Sequence, residues 1–236
     1  MKLTIVLPFF NEEALLPGLP ATLDRIRRAL SEHDVRVLCV DDGSSDGTAA
    51  GLAALQDVEV LTHSENRGVG AAMETGIAAA TGEAVVVFDP DEPYDVELLA
   101  PLVAALADAE VATLSPYHPE GRVDGVPAYR LGLSRVASWL YRRRLGHKLF
   151  TYTCAVRAYR LPQAQTLLPL PNDFTAAAYL VARALQAGMR VVEIPAVLRV
   201  RTEGSSKMRV MRTIRSHLRL LRDLSVTPSN DDPRVS

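Results

Sequence analysis

The chain of 236 residues contains only two cysteines, which are too few for a disulfide framework. Cys39 lies inside an apolar run, where a buried core thiol is expected, so a reducing cytosolic compartment is the default location. No run reaches the roughly 18 apolar residues of a membrane span, and the short run after Met1 has no signal-peptide cleavage pattern. These absences predict a cytoplasmic protein that contacts a membrane at its surface at most.

Histidine and glycine patterns exclude further kinds of site. The five histidines are scattered without the spacing of metal ligands, so no metal site is expected on them. The segment Gly68-Val69-Gly70 lacks the third glycine of a dinucleotide fingerprint, and the sequence contains no P-loop. The formal net charge of −2 identifies no partner and predicts no nucleic-acid binding, although the C-terminal region is basic.

What the sequence does contain is an alternation of strands and helices over its first half. A hydrophobic content of 48% is sufficient for the core of one large α/β domain. The predicted strands are residues 3–7, 35–40, 58–62, 84–88 and 111–114. The predicted helices are residues 12–30, 46–55, 69–80 and 96–107. Such repeats imply a parallel sheet with right-handed crossovers, which binds ligands beyond the carboxyl ends of its strands.

The pattern changes after residue 115. Residues 116–129 hold three prolines and two glycines and are predicted to form a loop. Further helices are predicted at residues 131–145, 174–187 and 208–224. Further strands are predicted at residues 151–157, 190–194 and 197–200.

Two carboxylates, Asp89 and Asp91, follow the apolar run 84–88. Side chains alternate along a strand, so residues i and i+2 point the same way, and these two acids are expected to converge on one hard cation. A hard cation held by only two carboxylates takes its remaining oxygens from water and phosphate. The pair therefore predicts a phosphate-bearing substrate.

Two other polar segments follow predicted strands, residues 8–13 and 41–48. Ser44, Ser45 and Asp46 are good helix N-caps, and capping is the simpler explanation for the serines. For Asp42, contact with a base or a ribose is favoured over capping, because a cap does not require two adjacent acids.

These segments together resemble family 2 glycosyltransferases of the GT-A fold. The shared motifs, in the family's order, are Pro-x-Phe-Asn-Glu at residues 8–12, Asp-Asp-Gly-Ser-x-Asp-Gly-Thr at 41–48, Asn-x-Gly-x-Gly at 66–70 and Asp-x-Asp at 89–91. Each motif alone is weak, but four in this order, each at a strand end or a helix start, are specific. They cover about the first hundred residues.

The second half narrows the resemblance. Residues 201–208 are similar to the Arg-x-x-Gly-x-Ser-Lys segment of polyprenyl-phosphate sugar transferases, of which the dolichyl-phosphate mannose synthases are the best known. Arg201 and Lys207 place cationic donors on a glycine-containing loop, where arginine can grip a phosphate with two hydrogen bonds and lysine acts as a point charge. A solvated basic loop is the alternative, and the matching spacing favours phosphate contact.

The resemblance implies a GT-A (Rossmann-like) three-layer α/β fold with a mostly parallel central sheet. Residues 1–207 would be one glycosyltransferase domain, with a nucleotide-binding half at 1–115 and an acceptor half at 116–207. A basic amphipathic helix at 208–225 and a disordered tail at 226–236 would follow.

The resemblance also implies roles for individual residues. Asp89 and Asp91 would hold Mg2+ or Mn2+, and Arg201 and Lys207 would contact phosphate during catalysis. Residues expected to contact the nucleotide are Pro8, Phe10, Glu12, Val40, Asp42 and Asp89. The implied activity is inverting transfer of mannose or glucose from GDP-mannose or UDP-glucose to polyprenyl phosphate at the inner face of a membrane. The metal and the cations would stabilise the charge on the departing diphosphate.

Two departures from the family pattern leave alternatives open. Pro93 stands where many relatives have glutamine, so Glu92, Asp95 or water would supply the missing metal oxygen. Thr151 replaces an acid of the family, and since a phosphate acceptor needs no general base whereas a hydroxyl usually does, this favours a phosphate. The alternatives are transfer to a hydroxyl of a glycan, lipid or natural product, and nucleotide-sugar binding without turnover.

The last predicted helix carries two stripes. Its apolar stripe consists of Met208, Met211, Ile214, Leu218 and Leu221. Its basic stripe consists of Arg209, Arg212, Arg215, Arg219 and Arg222. A basic amphipathic helix lies on an anionic membrane surface or packs on its own domain with a solvated arginine face, and the stripes fit both. Trp139 and Tyr141 are predicted to be packing residues, with lipid contact as the alternative.

Overall fold

The computed structural model describes residues 1–199 and 210–224, and its first half alternates strands and helices as predicted. The strands are β1 (Lys2–Phe9), β2 (Asp34–Asp41), β3 (Glu59–Thr62), β4 (Ala84–Val87) and β5 (Val111–Ser115). The helices between them are α1 (Leu19–Ala29), α2 (Thr48–Ala53), α3 (Val69–Ala79) and α4 (Leu99–Ala104).

The second half adds strands to the same sheet and helices around it. Its strands are β6 (Arg122–Asp124), β7 (Arg157–Arg160), β8 (Val191–Pro195) and β9 (Val197–Arg199). Its helices are α5 (Ala128–Leu145), α6 (Leu161–Thr166), α7 (Ala176–Gln186) and α8 (Val210–Asp223).

The central sheet has seven strands in the order β3-β2-β1-β4-β7-β5-β8. All neighbouring strands are parallel except β7, which runs antiparallel between β4 and β5. β6 and β9 form a separate parallel pair, so part of the predicted loop at residues 116–129 is a strand. The mostly parallel sheet that the resemblance implied is therefore confirmed.

Each face of the sheet is covered by helices, because the strands are apolar on both sides. On β1, Val6 belongs to the core shared with α3, α5, α7 and α8, whereas Ile5 and Leu7 belong to the core shared with α1 and α4. This alternation produces the expected three layers. Cys39 is fully buried, and burial raises the pKa of its thiol to about 12, so the prediction of a core thiol is confirmed.

Some predicted elements have different limits. α1 begins at Leu19 and not at residue 12, because Pro20 fits only the first turn of a helix. The strand predicted at residues 151–157 begins at Arg157, where backbone pairing with β4 starts. α6 was not predicted, since six residues carry too little periodicity.

The described part of the C-terminal helix packs on the domain. Leu220 and Leu224 are buried, and the hydroxyl of Tyr141 on α5 lies 2.9 Å from Nδ1 of His217. Tyr141 is fully buried, so its prediction as a packing residue is confirmed. The same prediction for Trp139 is wrong, because 56% of its surface is exposed. Within residues 1–199 and 210–224, no helix has the length and apolarity needed to cross a bilayer.

Candidate active site

Two adjoining cavities open at the carboxyl ends of β1, β2 and β4. The larger has a volume of about 1390 Å3 and the smaller about 290 Å3. Five residues line both cavities: Val69, Asp89, Asp91, Asp173 and Phe174. The predicted pair of carboxylates therefore lies where the two cavities meet.

Asp89 and Asp91 reach this junction from a turn. β4 ends at Val87, and the amide of Glu92 donates to the carbonyl of Asp89 at 3.2 Å to close the turn. The prediction that strand alternation aligns the two acids is wrong, because both lie beyond the strand. Both side chains are nevertheless half-buried and face the same cavities.

Glu92 and Asp95, the acids expected as alternative sources of the missing metal oxygen, are each engaged by an arginine, and their role as ligands stays a prediction. The carboxylate of Glu92 accepts hydrogen bonds from Arg25, at 2.6 Å, and from Thr22. Asp95 forms an ion pair with Arg199. Among the residues that the structure describes, no cluster of three or more His, Cys, Asp or Glu side chains suits a metal ion. Two carboxylates with water or phosphate oxygens are a ligand set suited to Mg2+ or Mn2+.

Asp42 organises the start of α3. Its buried carboxylate accepts hydrogen bonds from the amides of Arg67 (2.9 Å) and Gly68 (2.7 Å) and from Nδ2 of Asn66 (2.9 Å), and it also bonds His63 Nδ1 (2.7 Å). Asp42 lines the larger cavity, but its carboxylate is already hydrogen-bonded to other residues of the protein. The Asp-Asp and Asn-x-Gly motifs are thus one hydrogen-bonded unit.

Glycines in this unit allow another segment to approach closely. Gly68 has a φ of +101°, and a Cβ on it would meet the carbonyl oxygen of Asn172. The amide of Gly70 donates to the same carbonyl at 3.0 Å. This contact places Asp173 and Phe174 at the cavities, although the sequence offered no motif for them.

The predicted nucleotide-binding residues divide into two groups. Pro8, Phe10 and Glu12 line the larger cavity together with Asp42 and Asp89. Val40 is fully buried in the core and is not among the residues that line the larger cavity, so its nucleotide contact stays a prediction. β2 continues to Asp41, so residue 40 still faces a helical layer. Arg201, Lys207 and residues 225–236 lie outside the described part of the chain, and the roles of the two cations stay predictions.

Sequence reasoning missed two arginines of the cavity wall. Arg215 and Arg219 of α8 line the larger cavity, whose wall also contains Asp89 and Asp91. The basic stripe is predicted to face solvent or membrane. Because α8 packs on α5, however, Arg215 and Arg219 of this stripe lie at the cavity wall. The spacing of four residues between these arginines was the available signal, because it places them on one side of a helix.

Asp173 was also missed. Burial alone would raise the pKa of its carboxyl group, but hydrogen bonds from Ser216 and Thr175 outweigh burial and lower the pKa below its ordinary value. The carboxylate therefore connects the cavities to α8 through Ser216.

The smaller cavity is lined by hydroxyl groups and aromatic rings. Oγ1 of Thr151 lies 2.8 Å from Oγ of Ser115, and Oγ of Ser134 lies 2.6 Å from Oγ1 of Thr153. Burial raises the pKa of the Tyr94 hydroxyl, so this group stays neutral and can donate a hydrogen bond. The cavity offers neutral hydroxyl groups where the family often places an acid.

The profile of Glycosyl transferase family 2 matches residues 4–166, more than half of the chain. The protein belongs to glycosyltransferase family 2. This assignment accounts for the four motifs and for the carboxylates at the junction of the cavities. Like other members of the family, the protein is an enzyme.

The chain is similar over most of its length to enzymes that act on polyprenyl phosphates. It is 33% identical to polyprenol monophosphomannose synthase of Mycolicibacterium smegmatis, over 86% of this chain and 80% of that protein. It is 33% identical to undecaprenyl-phosphate mannosyltransferase of Micrococcus luteus, over 88% of each chain. It is 28% identical to undecaprenyl-phosphate 4-deoxy-4-formamido-L-arabinose transferase of Klebsiella pneumoniae, over 96% of this chain and 68% of that protein.

Solved structures show the same fold. Glucosyl-3-phosphoglycerate synthase from Mycobacterium tuberculosis, crystallised with Mn2+, UDP and glucosyl-3-phosphoglycerate, superimposes with a TM-score of 0.71 at 20% identity. The match covers 97% of this chain and 81% of the synthase. The same synthase crystallised with Mg2+ and UDP gives a TM-score of 0.70. The GT-A fold expected from the motifs is thereby confirmed.

Proposed function

We propose that this enzyme transfers a hexose from a nucleotide sugar to polyprenyl phosphate, with inversion at the anomeric carbon. The observation that carries the proposal is the position of Asp89 and Asp91 where the two cavities meet. A donor in the larger cavity and an acceptor in the smaller one would meet beside this pair. The mannosyl and 4-deoxy-4-formamido-L-arabinosyl transferases to which the chain is similar act on acceptors of this class.

The larger cavity suits a nucleoside diphosphate. Its wall presents carboxylates of the Asp89–Asp91 turn and guanidinium groups of Arg215 and Arg219. A diphosphate needs cations to offset its charge, and arginine offers two-pronged hydrogen bonds to phosphate oxygens. Phe10 and Pro8 supply apolar surface for the nucleoside.

Asp89 and Asp91 would hold Mg2+ or Mn2+, and their neighbours leave the remaining ligand positions to water and phosphate. A bound divalent ion supplies Lewis-acid stabilisation of the departing diphosphate. Arg215 and Arg219, with Arg201 and Lys207, would hold the leaving group by charge. The Mn2+ and Mg2+ complexes of the mycobacterial synthase support this cofactor.

The smaller cavity suits a phosphate acceptor. Ser134 and Thr153 offer hydroxyl donors, and Thr151 occupies the place of the family's acid. A phosphate oxygen is already an anionic nucleophile, so the chain need not remove a proton from it. Attack on the anomeric carbon then breaks the bond to the nucleoside diphosphate and forms a glycosyl phosphate.

Transfer to a hydroxyl group is the second candidate, and Asp173 favours it. This carboxylate lines both cavities and would serve as the general base for a hydroxyl acceptor. Its lowered pKa makes it a weak base, which is why the phosphate acceptor ranks first.

For the donor, GDP-mannose ranks first because two similar enzymes transfer mannose, and UDP-glucose ranks second. We also place the enzyme in the cytoplasm. Because the proposed acceptor is a lipid, the enzyme would be in peripheral contact with the inner face of the membrane.

A matched pair of acceptors tests the proposal. The full chain is incubated with Mn2+ and labelled GDP-mannose or UDP-glucose, and with polyprenyl phosphate or the free polyprenol of equal length. We expect transfer to the phosphate alone and its loss in excess EDTA. Transfer to polyprenol or to glycans alone would reject the phosphate acceptor, and metal-dependent nucleotide binding without transfer would indicate a binding protein.

A further inference from the structure

Helix α5 has an apolar face that nothing in residues 1–199 and 210–224 covers. Tyr129, Val136 and Trp139 are each 56% exposed, and Leu133 and Leu140 lie half-buried beside them. Residues 129, 133, 136 and 140 follow helical spacing, so they form one stripe about 16 Å long. The opposite side of α5 is the buried one, with Ser138, Tyr141 and Leu145 in the interior.

The neighbouring helix α8 also exposes apolar side chains. Met211 is 66% exposed and Leu218 is 55% exposed. α8 lies against α5, because Nε of Arg144 donates to the carbonyl of Leu221 at 3.0 Å and Tyr141 contacts His217. Of the seven large apolar side chains exposed in the described residues, five lie on these two helices, and such clustering marks an interaction site. The docking face is defined by Tyr129, Val136, Trp139, Met211 and Leu218.

The charges on α5 and α8 favour an anionic partner for the docking face. α5 contains five arginines and no acidic residue, and of these arginines Arg135 and Arg143 are exposed. On α8, Arg215, Arg219 and Arg222 are exposed; the first two also line the larger cavity, and Arg222 pairs with Asp223. Apolar side chains flanked by cations are typical of helices that lie on anionic lipid, and tryptophan and tyrosine concentrate at the same depth of the membrane.

We infer that the docking face rests on the surface of an anionic lipid bilayer. A second copy of the chain fits less well, because a symmetric contact would bring the arginines of two α5 helices together. The inference rests on the proposed function for its purpose, since a lipid-linked acceptor must be taken from a membrane.

α5 also connects the docking face to the site. Ser134 lines the smaller cavity from one side of this helix, while Tyr129 and Val136 are exposed on another. A helix with its side chains is about 10 Å across, so the lipid surface would lie about one helix diameter from the cavity. The phosphate of an acceptor could then enter the cavity while its chain stays in the bilayer.

Trp139 is the only tryptophan in the chain and therefore reports on the docking face directly. The full chain is mixed with vesicles of phosphatidylcholine alone or of phosphatidylcholine with phosphatidylglycerol. We expect the Trp139 emission to shift to the blue and the protein to co-sediment with the anionic vesicles, less so with neutral ones or at high salt.

The test variant is Val136→Glu, which keeps the reporter. The matched control is Ala54→Glu, the same change of net charge at an exposed position after α2. Val136→Glu should weaken partitioning into anionic vesicles by at least about tenfold, whereas the control should bind as the original chain does. Because residue 136 is exposed, Val136→Glu should leave thermal unfolding unchanged. If this variant is destabilised, Trp139→Ser is used instead, and its vesicle binding is measured by co-sedimentation.

Absence of binding to anionic vesicles, or equal binding by Val136→Glu, would overturn the inference. A dimer in light scattering that Val136→Glu dissociates, without vesicle binding, would assign the face to a second copy instead. Transfer in detergent separates this test from the proposed function. Val136→Glu should transfer normally there and poorly from vesicles, and if the original chain transfers nothing in detergent, only the proposed function fails.

Discussion

The first 115 residues carry 20 acidic and 6 basic side chains, whereas residues 116–236 carry 8 acidic and 20 basic ones. The two parts nearly cancel, and for this reason the net charge of −2 identifies no partner. In the structure, the first part contributes Asp89 and Asp91 to the larger cavity, and the second contributes Arg215 and Arg219.

The two parts also build the site differently. The acidic side chains follow strand ends, so their grouping depends on a parallel sheet that the sequence pattern predicts. The arginines of α8 reach the cavity only because a distant helix docks on α5 through Leu220 and Leu224. The proposed metal contacts and the proposed phosphate contacts therefore form only when both parts are folded together.

The largest expected effect tests the acidic part. Asp91→Asn removes one carboxylate of the proposed metal-binding pair at the junction of the cavities, so kcat/KM should fall by at least about a thousandfold. Thermal unfolding should be unchanged. The control is Asp95→Asn, which alters a nearby acid that is paired with Arg199 and should retain most activity. Equal losses in both variants would show that activity depends on the negative charge of this region and not on a pair of metal-binding carboxylates.

The next effect tests the contact between the two parts, where Gly68 meets Asn172. Gly68→Ala places a Cβ against the carbonyl oxygen of Asn172 at a positive φ, so the free energy of unfolding should fall by about 3 kcal/mol. Gly132→Ala, on the exposed side of α5 with nothing within 4 Å, should instead gain about 0.5–1 kcal/mol. Chemical denaturation of both variants checks this contrast, and a neutral Gly68→Ala would mean that the two parts are not tightly joined there.

A smaller effect tests the basic part. Arg219→Ala removes a cation from the cavity wall, and we expect kcat/KM for the nucleotide sugar to fall about tenfold. Arg222→Ala, an exposed arginine of the same helix paired with Asp223, serves as the control and should leave it unchanged. Both are assayed in detergent, so that membrane binding does not contribute. A loss shared by both variants would assign the effect to overall charge.

The smallest effect concerns the docking of α8. Burial lowers the pKa of His217, opposed in part by nearby Asp173. Since the unfolded chain then binds the proton more readily, stability is present above the ordinary pKa of about 6.5 and is lost as the pH falls below it. His217→Gln keeps a hydrogen-bond acceptor for Tyr141 and should reduce the loss of unfolding free energy between about pH 8 and pH 5. An unchanged slope would mean that other groups, such as His147, set the pH dependence.

Much of the fold was predictable. Buried parallel strands are short apolar runs, so β1 to β5 were recognised in order from their local pattern. The insertion of β7 between β4 and β5 was not, because which strands pair depends on residues far apart in the chain.

The carboxylate pair was predicted for a reason that the structure does not support. Asp89 and Asp91 were expected to align along a strand, but a turn closed by Glu92 presents them. The outcome is similar since two acids one residue apart stay close in either conformation.

The sequence by itself determined the family, the three-layer fold and the acids at the strand ends, because these depend on local periodicity and on motifs of neighbouring residues. Only the tertiary structure decided that Arg215 and Arg219 face the larger cavity and that Trp139 and Val136 are exposed. The physical reason is that helical periodicity defines which residues share a face, whereas the covering of that face depends on the elements packed against it.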